Sequence, residues 1–186
     1  MQRADLDLLE WAKNNYQKKF YIRDLKILMG QLAHGYRFLL KNHIEHYDIK
    51  PDNLLLVGGV LKIADFGTCH IGQDNYFLNT GTMGFIAPEI AGCTNKNFYV
   101  PHSMDVYSIC LMLSYLEFAP IFKKFYYRKW TLRNYLSLEE YMHRKYPFTF
   151  LTWGTIVDQC YRMPIADLLE HIENDASDAK KDLLCL

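Results

Sequence analysis

The sequence predicts a mainly α fold, a helical bundle that carries one short β-hairpin. Three observations lead there. Leu25, Leu28, Met29, Leu32, Tyr36, Leu39 and Leu40 keep helical spacing over about four turns, with Lys26, Gln31 and Lys41 among the polar positions between them. Residues 104–116 are apolar on almost every side, the pattern of a central, buried helix. Residues 54–57 and 60–63 are short apolar runs joined by Gly58-Gly59, a pair that tolerates the positive φ a two-residue hairpin turn needs.

Taken in order, residues 6–11 form a short amphipathic pattern closed by Lys13-Asn14-Asn15, which predicts a small helix entered near Asp5. The long helix follows and should end near Asn42. Beyond the hairpin, residues 65–102 are rich in Gly, Asn and Thr, and an irregular stretch of that length is expected to be functional or disordered. Pro101-His102-Ser103 leads into the buried helix, with Ser103 placed to cap its amides. Ser137-Leu138-Glu139-Glu140 is a capping-box pattern and predicts a helix starting there and stopping before Pro147. Pro164 suits the first turn of a last helix through Ile172, and the Asp-, Ser- and Lys-rich tail after Asn174 should fray.

A chain of 186 residues suffices for one domain with a substantial core. Lys+Arg and Asp+Glu are both 21, so no global field draws in nucleic acid or an acidic membrane, and neither is expected as a partner. The five cysteines are scattered, without a C-x-x-C pair, which suits neither a disulfide framework nor a zinc site and favours a reducing compartment. No apolar signal region opens the sequence and no run approaches a membrane span, so a soluble, intracellular protein is expected.

The chemistry concentrates in residues 46–67. His46-Tyr47-Asp48-Ile49-Lys50-Pro51-Asp52-Asn53 precedes the hairpin, and Asp65-Phe66-Gly67 follows it. Two carboxylates, a lysine and an asparagine thus fall within eighteen residues on the two flanks of one hairpin, which outlines a phosphate and metal site.

This stretch resembles the catalytic loop H-R-D-L-x-x-x-N and the metal-binding D-F-G of protein kinases, and Gly81-Thr82 and Ala87-Pro88-Glu89 follow in the order that ends a kinase activation segment. The similarity extends over about residues 1–172 and is strongest over 46–107. It implies a protein-kinase-like C-lobe, with ATP and Mg²⁺ as cofactors and a protein as substrate. By the resemblance, Asp48 would accept or orient the proton of the substrate hydroxyl and Lys50 would neutralise charge on the transferring phosphoryl group. Asn53 and Asp65 would supply oxygen ligands to Mg²⁺. Leu55 would form the floor under adenine, with Asp5, facing ribose, and Asp52 also assigned to the nucleotide site. Thr82 would reach toward Asp48 and Lys50, and together with Lys50 it favours the serine/threonine branch. His46, Phe66 and Gly67 would be structural, as would Glu89 paired with Arg162 and Asp105 accepting catalytic-loop amides.

Other features carry less. Residues 123–130 interleave basic and aromatic side chains and read as a solvated face that is at most a docking candidate. His43 and His46 have no further ligands in sequence to make a metal pair, and the Met and Tyr content is assigned to core packing.

The departures from the family pattern shape the expectation. Tyr47 replaces the arginine of H-R-D, which in many kinases pairs with a phosphorylated activation-loop residue, and Leu78 stands where that residue would lie, leaving Tyr76 and Thr80 as candidate sites. Cys110 replaces a usual glycine. No Gly-rich loop, V-A-I-K lysine or partner glutamate precedes residue 46, so the chain is read as a C-lobe over 1–173, with its N-lobe absent, followed by a polar tail over 174–186. Two functions follow. One is a serine/threonine kinase catalytic lobe, either a fragment of a full kinase or a lobe completed by another chain. The other is a non-catalytic mimic of that lobe which binds and inhibits or scaffolds another kinase.

Overall fold

The computed structural model describes residues 3–72, 80–92, 100–117, 131–145 and 149–184. The phosphosite positions Tyr76 and Leu78, the basic-aromatic tract 123–130 and Pro147 lie outside them.

The chain opens with a two-residue strand β1 (Leu6–Asp7), which runs straight into helix α1 (Leu8–Asn15). The helix is capped by Asp7, two residues past Asp5, and the Asp7 side chain accepts the Glu10 amide. Asp5 serves the neighbouring sheet: its amide bonds the Leu56 carbonyl and its carboxylate accepts the Gly58 amide at 2.7 Å. The long helix α2 (Tyr21–Lys41) buries the stripe predicted for it, from Leu25 to Leu39, and ends at Asn42. His43 then takes φ +54, the left-handed turn that breaks the helix and starts β2 (Ile44–Glu45).

The hairpin strands are β3 (Leu54–Val57) and β4 (Val60–Ile63), paired from Leu54 with Ile63 to Val57 with Val60. Gly58 and Gly59 both have positive φ, +57 and +77, which a two-residue turn of this hand requires. β1 adds an antiparallel edge to β3, and β2 pairs with β5 (His70–Ile71) in a second small sheet.

Helix α3 (Ser103–Glu117) is the centre of the molecule, with nearly every side chain buried. Ser103 lies inside its first turn, so its hydroxyl does not cap the helix but accepts from Arg162. Helix α4 (Leu132–Lys145) starts five residues before the predicted Ser137. Thr131 and Asn134 take the capping role there: the Thr131 hydroxyl accepts the Asn134 amide and the Asn134 side chain accepts the Thr131 amide. Ser137 therefore falls mid-helix.

Helix α5 (Phe150–Gly154) is short and capped by Thr149. Helix α6 (Ile165–Leu184) continues well past Ile172 and through the tail after Asn174, where fraying was expected. The extension is held because Ala176 and Ala179 are buried, and a β-carbon built on Gly30 of α2 would come within 2.5 Å of the Ala176 side chain. Arg37–Glu173 and Lys26–Asp175 flank this close approach of α2 and α6. Among the described residues no helix is long and apolar enough to cross a membrane.

Candidate active site

The loop between β2 and the hairpin is bent at Tyr47, which has φ +66, a conformation costly for a bulky residue unless its surroundings hold it. Asp105, at the start of α3, does so. It is fully buried, and its two oxygens accept the His46 amide at 2.6 Å and the Tyr47 amide at 2.9 Å. The Tyr36 hydroxyl of α2 donates to the same carboxylate at 2.5 Å, so a charge in the core has three donors and its burial is compensated.

His46 is used on both ring nitrogens. A carbonyl can only accept, so Nε2–H donates to Ala64 at 2.9 Å, and Nδ1 is left to accept the Asp48 amide at 3.3 Å. The ring packs on Phe66 at 5.2 Å between centroids. One histidine thus links the catalytic-loop candidate to the residue preceding Asp65.

Asp48, 8% exposed, is held by one of its oxygens. Oδ2 accepts Lys50 Nζ at 2.8 Å and Asn53 Nδ2 at 3.0 Å. Oδ1 is buried and accepts no hydrogen bond from the described residues. Lys50 Nζ also donates to the Thr82 hydroxyl, which brings the segment 80–92 onto the loop. Gly81 makes that approach possible. Its φ is +96, and a β-carbon there would lie 2.6 Å from the Tyr47 carbonyl oxygen.

Asn53 ends a 3₁₀ turn over Pro51–Asn53, and its Nδ2 donates to both the Asp48 carbonyl and the Asp48 carboxylate. Its Oδ1 accepts no hydrogen bond from the described residues. Asp65 follows β4 with φ +61, exposed and without a cation or donor on its carboxylate among the described residues. The Ala64 amide bonds the Asn53 carbonyl at 2.9 Å, so Asp65 begins one residue from Asn53. Two oxygens with free lone pairs on either side of this link form a hard donor set. They fit Mg²⁺, which takes one or two protein oxygens and fills the rest of its shell with phosphate and water. Leu55 is half-buried on β3, and Asp52 is exposed in the 3₁₀ turn.

The far end of the segment is anchored in the core. Arg162 closes on Glu89 with two bonds, at 2.5 and 2.7 Å. It also donates to the carbonyls of Ser103, Ile156 and Val157 and lies 4.9 Å over the Tyr107 ring. Ser108 and Tyr135 bond the Phe85 and Ile86 carbonyls.

A buried polar network beneath the loop escaped the sequence reading. Glu45, 1% exposed, accepts the His102 amide at 2.9 Å, and the His102 ring meets the Tyr36 hydroxyl at 3.0 Å. Burial pushes the Glu45 carboxyl up to about 8, aided by the nearby Asp105 charge and opposed by the His102 bond. Burial also lowers His102 and raises Tyr36 well above the phenol range. The one local signal was a glutamate inside a short apolar strand. Tyr47, where the family arginine would stand, is buried with its ring edge-on to His70 at 6.1 Å.

A model of the protein kinase domain matches residues 3–184. The chain belongs to the protein kinase superfamily. Its relatives include a probable cell division protein kinase of Encephalitozoon cuniculi, 33% identical over 58% of this chain and 43% of the relative. The gamma catalytic chain of phosphorylase b kinase, liver/testis isoform, of Bos taurus is 28% identical over 81% of this chain and 38% of that protein. A serine/threonine-protein kinase, chk-1, of Caenorhabditis elegans is 40% identical over 45% of this chain and 17% of its own length. The chain therefore spans less than half the length of these kinases. The mainly helical fold with small sheets is that of a protein kinase C-lobe.

Proposed function

We propose that this kinase chain is a serine/threonine catalytic lobe that transfers the γ-phosphate of ATP to a protein hydroxyl, working with a nucleotide-covering lobe from the same or another polypeptide. The observation that carries the reading is the asymmetry of Asp48. Oδ2 is fixed by Lys50 and Asn53, while Oδ1 accepts no hydrogen bond from the described residues.

A substrate hydroxyl reaching Oδ1 would meet a carboxylate already oriented, and its proton would pass there as the oxygen attacks phosphorus. Lys50 sits where it would neutralise the transferring group, and the Thr82 hydroxyl holds the lysine in that direction. Asn53 Oδ1 and the Asp65 carboxylate would hold Mg²⁺, which when bound offsets the charge of the phosphates. Leu55 supplies an apolar floor for adenine. Asp5 and Asp52 stand at the nucleotide site, although one Asp5 oxygen is committed to Gly58. Glu89–Arg162 and Asp105 fix the two ends of the segment and loop that carry these groups.

A second reading is a kinase-lobe mimic that docks on another kinase. The exposed Phe66 and Met83, 49% and 51% accessible beside the site, favour it, since such side chains call for a covering surface.

Phosphotransfer from Mg-ATP to a generic basic protein, measured for the chain alone and with a kinase N-lobe fused ahead of it, separates the two. Transfer should be weak alone and strong in the fusion, and Asp48→Asn should lower kcat by about 10²–10⁴. Activity unchanged by that substitution removes Asp48 from its role. No transfer in a folded fusion that binds nucleotide leaves the mimic.

A further inference from the structure

A recess remote from Asp48 in sequence is lined in part by Arg162. It is a cavity of about 570 Å³ between α5, the turn at 159–164 and the first turns of α6. That volume is in the range of sites that take a side chain or small ligand. Trp153 and Tyr161 stand in its wall, 49% and 75% exposed, with Ile156, Met163 and Pro164 supplying the apolar remainder. Large aromatics left open at a concave surface are the residues that most often anchor a partner.

Apart from Arg162, which is paired, the recess is lined by negative charge. Asp167 and Glu170, three residues apart on α6, share a face and line it. Neither carboxylate has an ion pair or hydrogen bond among the described residues. The arginine in the wall, Arg162, is spent on Glu89. Arg37, which interacts electrostatically with Glu170, is held through two nitrogens by Glu173. His171 is stacked flat on Phe150 at 5.8 Å. In a chain whose net charge is zero, this is a local acidic and aromatic recess.

We propose that this recess docks a basic segment of a partner protein, receiving a lysine or arginine side chain. The methylene stem would lie on Met163, Pro164 and Ile156, and the charged head would sit between the aromatic faces of Trp153 and Tyr161 and the carboxylates of Asp167 and Glu170. Aromatic faces and free carboxylates both attract a cation, and a partly desolvated recess strengthens both attractions. The site is separate from Asp48 and does not rest on phosphotransfer.

The test is an NMR titration of the whole chain, following the indole N–H signal of Trp153, assigned with Trp153→Phe. The probe is a blocked Gly-Lys-Gly peptide, and the control is the same peptide with uncharged norleucine. The lysine peptide should shift the signal saturably, and 1 M salt should weaken the binding. Asp167→Asn with Glu170→Gln should weaken it on the order of tenfold, two exposed charges being lost together. Both positions are on the surface, and unchanged signals elsewhere establish that the variant is folded. An equal shift with norleucine, an unaffected double variant, or no shift with the lysine peptide would each overturn the proposal.

Discussion

Cys110 and Gly154 divide one space between them. A β-carbon on Gly154 of α5 would lie 2.0 Å from the Cys110 sulfur and 2.9 Å from its β-carbon, and the thiol is fully buried in α3. Cys110, which departs from the family pattern, is thus accommodated by a glycine 44 positions later (154 less 110). Gly154→Ala should destabilise the chain by about 1–3 kcal/mol through overpacking. In a Cys110→Ala background the same change should cost less. Urea unfolding of the two single variants and the double variant measures the coupling, expected at about 0.5–3 kcal/mol. Additive values would show that the helices simply move apart.

The Arg162–Glu89 pair is buried at both ends, 1% and 0% exposed at the side chain. Arg162→Met should cost about 3–5 kcal/mol, because Glu89 is left charged in the core. Arg162→Met combined with Glu89→Leu should recover part of that loss. Thermal unfolding would decide, and a double variant no better than the single one would place the cost in the lost carbonyl contacts of Arg162 instead.

Gly81 is where the activation segment touches the loop. Gly81→Ala strains a position at φ +96 and drives a methyl into the Tyr47 carbonyl, at a cost of about 1–3 kcal/mol. The segment should lift and lose the Lys50–Thr82 bond. Limited proteolysis should then cut near Thr82 at lower protease concentration than in the parent chain, with the rest of the fold intact by circular dichroism. Equal protection in the two proteins would mean that the loop yields and the segment stays.

The buried network predicts a pH dependence. Glu45 titrates near 8 in the folded chain against 4.5 for an ordinary glutamate, so the folded form holds a proton that the unfolded form has released. Stability from this group is fully present below about pH 4.5 and is lost as pH rises toward 8. His102 has the opposite sign: its folded value is lowered from 6.5, so its contribution is lost as pH falls below 6.5. Asp105, Tyr36 and His43 are the other titratable groups that bear on the pair. Stability should therefore decline between pH 6.5 and 8. Glu45→Gln keeps an oxygen for the His102 amide and cannot ionise, so it should flatten that decline. The measurement is urea unfolding across the pH range, and a parallel decline in the variant would assign it elsewhere.

What could be read from the chain itself was the part written locally. Gly58-Gly59 dictates its own turn, the α2 stripe follows from spacing, and Asp48, Lys50, Asn53 and Asp65 lie within one short stretch. What could not be read depends on distant partners. β1 exists because Leu6 and Asp7 meet Leu56 and Leu55. The α4 start pitted two local capping patterns against each other, and Thr131 with Asn134 prevailed over Ser137. The α6 extension looks polar in sequence, and the small side chain of Ala176 matters only because Gly30 lies opposite. Tyr36, Glu45 and His102 form a network only once α2, β2 and the turn before α3 converge on Asp105.

The α2–α6 contact also bears on how the protein is made. Arg37 and Glu173 are separated by 136 positions, so α2 leaves the ribosome long before the surface that covers it has been synthesised. Its apolar stripe must stay soluble through that interval, and the loop that hangs from its end cannot settle until the last helix arrives. Contacts of such high sequence separation close late, so the α2–α6 seam should be among the last parts of this fold to form.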